Sequence, residues 1–478
     1  MKKKKQFAAE PPTVAELGVN KADLLIQELW GKLREYEDRL TMSSRNSSKS
    51  PSSDSPADKA ERKKPQTPRS GNQVGAQPGH TGHKRPLASL GETDKQIACL
   101  PDACCPDCGG EVTPNPSPSY RHQVFELPKP KLDITEYQLF HGRCQQCNNV
   151  SKGVLPKGAP DGQMGPRLLS YVSVLSGLYH LSVRKIQRLL QDQYGTHFST
   201  GLISEAQGRV SSMLTPIHQA LHQHIKQAPL VHVDETTHNR NGEEHTRWIW
   251  LVSSKDAVFQ QVKYFRNKDA AKSVLGEQTQ AVVVSDQCPS YHWIEPERHQ
   301  FCLAHIERNL QQMADYSGKG LTEHIGNRLV LLFKSVFRTQ HKYEAGTLDE
   351  VNWRRRMHRL RRSIIDWLER GTKVPASRYA GRCRYILKYE VGLWVFLNHP
   401  DTPLTNNEAE RCLRGSVIMR KICYGTSSDR GEKFRSRVLS VVETCKKRKL
   451  SPITVISQII TAVIGKNEYP DVFGLMST

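Results

Sequence analysis

Two stretches, "LVHVD" at 230–234 and "AVVVSD" at 281–286, constrain this chain more than any other feature. Each is an apolar run that ends on an aspartate. Leu230, Val231 and Val233, and the valines before Asp286, read as buried strands bounded by turn signals. Asp is depleted in strands, and a carboxylate at the end of a core strand is costly to desolvate unless something pairs with it. The remainder of the chain must supply a sheet that holds both strands and a partner for both acids.

The neighbouring sequence supplies the sheet. "TRWIWLVS" and "AVFQQVKYF" read as strands, "NKDAAKSVLGEQ" as a helix, and "HQFC" leads into the helix "LAHIERNLQQMA". A three-strand meander, a crossover helix, a buried strand and a further strand–helix unit make a mixed α/β sheet. With the first and fourth strands adjacent and parallel, Asp234 and Asp286 emerge at one C-terminal edge, where open α/β sheets place their ligands. Facing carboxylates repel unless a cation or a shared proton lies between them. Mg²⁺ or Mn²⁺, hard ions that prefer oxygen ligands, are the usual remedy. The strand order is that of the ribonuclease H-like fold, whose phosphoryl-transfer enzymes add a third acid from a later helix. Glu408 and Glu410 in "LTNNEAERCLRG" are the candidates. Taken alone, Glu410 reads as the N3 member of a capping box with Asn407 as N-cap, a reading that leaves the two strand-end aspartates unexplained.

Charge points to the partner. Lys plus Arg number 69 against 48 Asp plus Glu, a formal charge of +21. Such an excess favours a polyanion, nucleic acid before anionic membrane. No window approaches ~18 uninterrupted apolar residues, and "MKKKKQFAAEPP" has a basic start without the apolar stretch of a signal peptide. The expectation is a cytoplasmic, nucleoid-associated protein without a membrane partner, whose Cys residues are thiols or metal ligands rather than disulfides.

The organisation follows from changes of pattern. Residues 1–41 hold a leucine-rich helix with heptad-like Ile26, Leu29, Leu33, Tyr36 and Leu40, either a dimer zipper or a helix docked on its own protein. Residues 42–98 form a basic Ser/Pro/Gly-rich linker. Residues 99–155 carry two CxxC knuckles, Cys105 with Cys108 and Cys144 with Cys147, around a β-rich span, the pattern of one structural, tetrahedral Zn²⁺ in a zinc-ribbon-like module. Residues 160–228 are helical, and "SVRKIQRLLQDQYGTHFSTGLISEAQGRV" is compatible with a DNA-binding helix-turn-helix or any helical hairpin. The α/β core spans 229–445 with a basic helical insertion at about 310–400. There Trp353, Met357, Leu360, Ile364, Trp367 and Leu368 make an apolar face and the arginines crowd the other, a solvated or a phosphate-contacting surface. A helical tail occupies 446–478.

The motifs "AQPGHTGHKR", "VHVDET", "VVVSDQ", "CLAHIERN" and "PLTNNEAERCLRGSVIMRKICYGTSS", with the paired knuckles and the leucine-rich helix, resemble the DDE transposases of the insertion-sequence-66 family nearly end to end. The last motif is the most specific, resembling "NNxAERxxRxxxxxRK" followed by a Gly-Ser/Thr loop. The resemblance implies that Asp234, Asp286 and Glu410 are the catalytic, metal-binding triad, with Glu408 at a variable position. It further implies two Mg²⁺ (or Mn²⁺) ions, hydrolysis at the ends of an insertion sequence, and transesterification into target DNA. Arg411, Arg414, Arg420 and Lys421 are candidates to clamp phosphates. Cys302 and His305 also recur in the family wording, as a packed thiol and a hydrogen-bonded ring or as a second metal-ligand pair. Homo-oligomers and co-encoded accessory proteins are the implied partners. The rival reading is a zinc-dependent DNA-binding protein, a domesticated or inactive transposase.

Overall fold

In the computed structural model, residues 13–47, 54–56, 58–59, 79–81, 85–423 and 425–475 are described. About half of the linker expected at 42–98 lies outside them. The chain divides into two compact units, Ala60–Asp133 and the remainder, Met1–Lys59 with Ile134–Thr478.

Among its described residues the smaller unit holds a short 3-10 turn, Leu90–Glu92, and the first Cys knuckle. The expected β-rich span is corrected here: residues 120–140 form no ladder. Pro128 and Pro130 remove two donors, and Tyr120, Val124, Leu127 and Phe140 stay exposed, so there is no core on which strands can pair.

The larger unit opens with α1 (Val14–Leu17) and α2 (Val19–Leu40). The heptad positions of α2 face outward, from Leu29 at 45% exposed to Leu40 at 86%, and stay uncovered among the described residues. Its C-terminal end is anchored where buried Asp38 accepts the Ser317 N–H at 3.2 Å and the Tyr379 hydroxyl at 3.5 Å. A small hairpin, β1 (His141–Arg143) and β2 (Val150–Lys152), carries the second knuckle at its tip.

Helices α3 (Pro166–Gly177), α4 (Val183–Tyr194), α5 (Thr200–Met213) and α6 (Thr215–Lys226) follow. Ser182 and Ser199 cap α4 and α5, and Gly195 takes the left-handed conformation (φ 66°) that ends α4. Helix α5, second in the proposed helix-turn-helix, buries Ile203, Ala206 and Val210. The basic residues Arg184, Lys185 and Arg188 lie exposed on α4 instead.

The core sheet has five strands: β3 (Leu230–His238), β4 (Arg247–Ser253), β5 (Val258–Lys263), β6 (Val282–Ser285) and β7 (His299–Phe301). Their order is β5-β4-β3-β6-β7, antiparallel on the β4–β5 side and parallel on the β6–β7 side of β3. The meander and the crossover through α7 (Lys268–Leu275) are as the sequence pattern predicts, and the fold is mixed α/β. One detail differs. Strand β3 does not end on Asp234 but continues to His238, because Thr236, Thr237 and His238 keep pairing with β4; β-branched residues suit that surface.

Helices α8 (Leu303–Ala314), α9 (Gly320–Glu344), α10 (Glu350–Gly371) and α11 (Ser377–Lys388) come next, the last three forming the basic insertion. They share a core containing Trp353, Met357, Ile364, Leu368, Phe333 and Tyr379. Helix α12 (Asn407–Cys423) packs on β3 and β4, and α13 (Asp429–Lys447) and α14 (Pro452–Ile464) close the chain.

Helix α13 also covers the edge strand β5. Ser436, Ser440 and Thr444 accept the backbone N–H groups of Val262 (3.2 Å), Gln260 (2.8 Å) and Val258 (3.0 Å). Four helical residues rise about 6.0 Å and two strand residues about 6.6 Å, so the two repeats stay in step over three bonds. An edge that would otherwise invite another chain is thereby satisfied.

Candidate active site

The β3–β6 register pairs Leu230 with Val282, Val231 with Val283 and His232 with Val284. Two residues further it sets Asp234 level with Asp286. The β6–β7 register pairs Ser285 with Phe301, so its next step sets Asp286 level with Cys302, whose N–H donates to the Ser285 carbonyl at 2.8 Å. Three parallel strands thus deliver Asp234, Asp286 and Cys302 to one rim of the sheet. Pairing with β6 stops before Asp234 while pairing with β4 continues, which puts this acid inside the sheet on one side and at its rim on the other.

The two aspartates behave as carboxyls short of positive charge. Burial, then the charges of Glu235 and Asp286, hold Asp234 well above the usual carboxylate range, and Glu410 adds to the push. Burial and Glu235 raise Asp286 to about 6 against the pull of the Cys288 N–H and Arg266, and Glu410 again adds to the rise. Glu410 is itself raised by burial, with Arg308 pulling it back. Asp234, Asp286 and Glu410 therefore lie within electrostatic reach of one another. All of their donors are hard oxygens, a set that fits Mg²⁺ or Mn²⁺.

Glu408 faces elsewhere. It pairs with Lys447 of α13 and with Arg411, and these contacts hold its carboxyl low against the opposing effect of burial. The capping-box reading is corrected: α12 begins at Asn407, so Asn407 is its first residue and not its cap. Glu410 instead faces His305, with Oε1 3.7 Å from Nε2.

Asn406, the first Asn of the "NNxAER" wording, was given no role by the sequence and sets the position of α12. It is 1% exposed. Its side-chain amide donates to the Val233 carbonyl at 2.8 Å, which leaves Oδ1 to accept from His232 Nδ1 at 3.1 Å. Its backbone N–H donates to the Cys302 sulfur at 3.2 Å, and the Leu303 N–H donates to the Leu404 carbonyl at 2.8 Å. These bonds stitch the start of α12 to β3 and to the start of α8, four residues ahead of Glu410. A clue was available: a buried Asn at a helix start needs several partners.

Glu235 was also unforeseen. Its side chain, 1% exposed, pairs with Arg266 at 2.6 Å and accepts the Tyr291 hydroxyl. Arg266 Nη2 lies 3.9 Å from Asp286 Oδ2, so it links the two acids. Sequence signals only that a strand-borne Glu requires a cation; distance along the chain hides which one.

Of the basic residues on α12, Arg411 and Arg414 are exposed, and with Lys421 they lie on one stripe at helical spacing. Arg420 is turned inward and donates to Thr236 Oγ1 at 2.9 Å and to Thr237. The Gly-Thr-Ser loop that follows lies against the β3–β4 hairpin: Thr426 N–H donates to Asn239 O at 3.1 Å, and a Cβ on Gly425 (φ 125°) would sit 2.1 Å from that oxygen. Only glycine fits there.

The two knuckles share an internal geometry. Cys105 N–H donates to Gly110 O at 2.8 Å and Gly109 N–H to Cys105 O at 2.9 Å; Cys144 and Asn149, then Asn148 and Cys144, repeat both bonds at 2.9 Å. Gly109 (φ 71°) and Asn148 (φ 57°) occupy the left-handed position in each. The Cys105 thiol is lowered by the N–H groups of Asp107 and Cys108, the Cys144 thiol by those of Cys147 and Gln146.

Among the described residues no helix is long and apolar enough to cross a membrane. The profile of the Transposase IS66 family matches residues 161–433, more than half of the chain, and that of a family of unknown function (DUF6444) matches residues 9–86. Two proteins of Sinorhizobium fredii are similar. The uncharacterized protein y4hP is 22% identical over 418 residues, covering 80% of this chain and 74% of its own length. The uncharacterized protein y4jO is 46% identical over 55 residues, 12% of this chain and 17% of its own. The chain belongs to the transposase IS66 family, and its role is that of a transposase, an enzyme that cuts and joins DNA.

Proposed function

We propose that this transposase is of the DDE type, with Asp234, Asp286 and Glu410 as catalytic carboxylates on a ribonuclease H-like core. The observation that carries the reading is the strand register, which sets Asp234 level with Asp286, with Glu410 in electrostatic reach. The strand order, a three-strand antiparallel meander flanked by two parallel strands, supports the core. Two divalent cations held by the triad would neutralise the oxygens that attack and leave the scissile phosphorus. The residues of the chain do the rest. Asn406 and the register hold the acids together, and Arg266 buffers Asp286 and Glu235. Arg411, Arg414 and Lys421 line the DNA backbone, while Arg420 keeps α12 against β3.

The exposed arginines of α10, Arg355, Arg359 and Arg362, spaced by four and three residues, offer a second stripe to phosphates. Cys105, Cys108, Cys144 and Cys147 bind one structural Zn²⁺, a proposal that rests on the spacing and on the internal geometry of each turn. The protein works on cytoplasmic DNA as a homo-oligomer with accessory proteins.

The test is Glu410→Gln. It is expected to abolish cutting and joining of element-end DNA while DNA retention stays near that of the unsubstituted chain. Undiminished cutting rejects the triad, and equal loss of both activities rejects the division between binding and chemistry.

A further inference from the structure

Beside the acid set lies a second group of side chains that the triad does not use. Helix α8 starts immediately after Cys302, at the same rim as Asp286. His305 and Arg308, three residues apart, share one face of it. Each buries a polar nitrogen, His305 Nδ1 and Arg308 Nε, that has no hydrogen-bond partner among the described residues. Buried polar nitrogens without a partner are rare and call for an explanation. His305 Nε2 stands 3.7 Å from Glu410 Oε1. The Arg308 guanidinium acts electrostatically on Glu410, His305 and Cys302, yet forms no ion pair among the described residues. A permanent positive charge is thus held beside the third acid without being consumed by it.

Resting on the triad proposed above, we infer that Arg308 receives a non-bridging oxygen of the DNA phosphate being cut, and that His305 is the positioning residue for the Glu410 carboxylate. Guanidinium suits the phosphate role because its donors form a planar fork that matches phosphate oxygens. His305 suits the other because a ring nitrogen facing a carboxylate ligand fixes the orientation of that ligand.

A different use of the same atoms is disfavoured. One ligand atom each of Cys302, His305 and Glu410 lies within 4.8 Å of the others, a donor set closer to Zn²⁺ than to Mg²⁺. Arg308 already brings its charge to all three, and the Cys302 sulfur is engaged by the Asn406 N–H.

The experiment uses the full chain and the variants His305→Ala, His305→Gln, Arg308→Ala, Arg308→Lys and Glu410→Gln, each with its melting temperature measured. Mn²⁺ affinity is read by calorimetry, and cutting is read on a duplex ending in the element's own terminal sequence. His305→Ala is expected to weaken Mn²⁺ binding about 10- to 100-fold, with partial recovery in His305→Gln, which keeps an N–H donor. Arg308→Ala is expected to keep Mn²⁺ affinity and lose about 10²- to 10³-fold in cutting, with partial recovery in Arg308→Lys. Unchanged Mn²⁺ affinity in His305→Ala, or unchanged cutting in Arg308→Ala, overturns the inference while the triad stands, provided Glu410→Gln is impaired. If Glu410→Gln also binds Mn²⁺ and cuts normally, the triad itself falls. A Co²⁺ charge-transfer band that Cys302→Ser removes would make the cluster a metal site and overturn the positioning role.

Discussion

The Cys302 sulfur accepts the backbone N–H of Asn406 at 3.2 Å, and this contact fastens the helix that carries Glu410 to the rim that carries Asp286. The Asn406 side chain makes two further buried bonds, to His232 and Val233, so one residue, through its backbone and its side chain, ties the start of α12 to the rim and to β3.

Replacing Asn406 with Ala removes the two side-chain bonds and leaves the Val233 carbonyl and His232 Nδ1 unmatched. The expected cost is about 1–3 kcal/mol for each group stranded in the interior, seen as a lower melting temperature. Cutting falls further than stability explains, because Glu410 loses its fixed distance from the aspartates. The check is single-turnover cutting at a temperature where circular dichroism shows the variant folded.

Glu408→Gln separates the two acids of α12. Glu408 is bound to Lys447 and Arg411, so the variant loses about 2 kcal/mol, between the values for exposed and buried ion pairs, and keeps its cutting activity. Glu410→Gln behaves oppositely in urea melts without metal: it relieves repulsion among the acids and does not destabilise. A Glu408→Gln protein that is stable but inactive would reverse the assignment.

The raised aspartates make metal-dependent stability a function of pH. Asp286 titrates at about 6 in the fold against an ordinary carboxylate value of 3.8, and Asp234 is shifted in the same direction. A folded-state value above the unfolded one favours the fold below the unfolded value, and that contribution is lost as pH rises through about 6. A cation among the carboxylates offsets the loss. Millimolar Mg²⁺ is therefore expected to raise the melting temperature at about pH 7.5 and to have little effect at about pH 4.5. The buried rings of His218 and His222, lowered to about 4, act in the other direction by weakening the fold as pH falls from 6.5 through 4. Equal Mg²⁺ shifts at both pH values would contradict the acid cluster.

The zinc proposal makes its own prediction. Cys105→Ser or Cys144→Ser releases the metal, and protease then cuts near the knuckles in the variant or after chelation while the α/β core survives. One full zinc equivalent retained in both variants would refute the four-thiolate assignment.

How much was readable in the sequence depended on the range of the interactions. Strands β3 to β7 and the meander of the first three were legible because continuous apolar runs and turn residues are local signals. So was the level placing of Asp234 and Asp286 at one rim, once parallel neighbours were assumed. Contacts made across the fold were not. The Asn406 stitch joins residues more than a hundred positions apart, and Glu235 finds Arg266 and Tyr291 only after β3 has been extended past Asp234. The hydroxyls of Ser436, Ser440 and Thr444 carry a four-residue rhythm that is visible in sequence. Their role as a cover for β5 becomes apparent only with the sheet beside them. The expected strands at 120–140 failed for the converse reason: alternation was present but no partner surface was.

The most direct test of the triad is to soak crystals of the protein with Mn²⁺ and locate the ions by anomalous scattering. One or two ions are expected, bound by carboxylate oxygens of Asp234, Asp286 and Glu410, with Glu408 still on Lys447. Mn²⁺ bound by Glu408, or no ion at the Asp234–Asp286 rim in crystals grown with and without DNA, would contradict it.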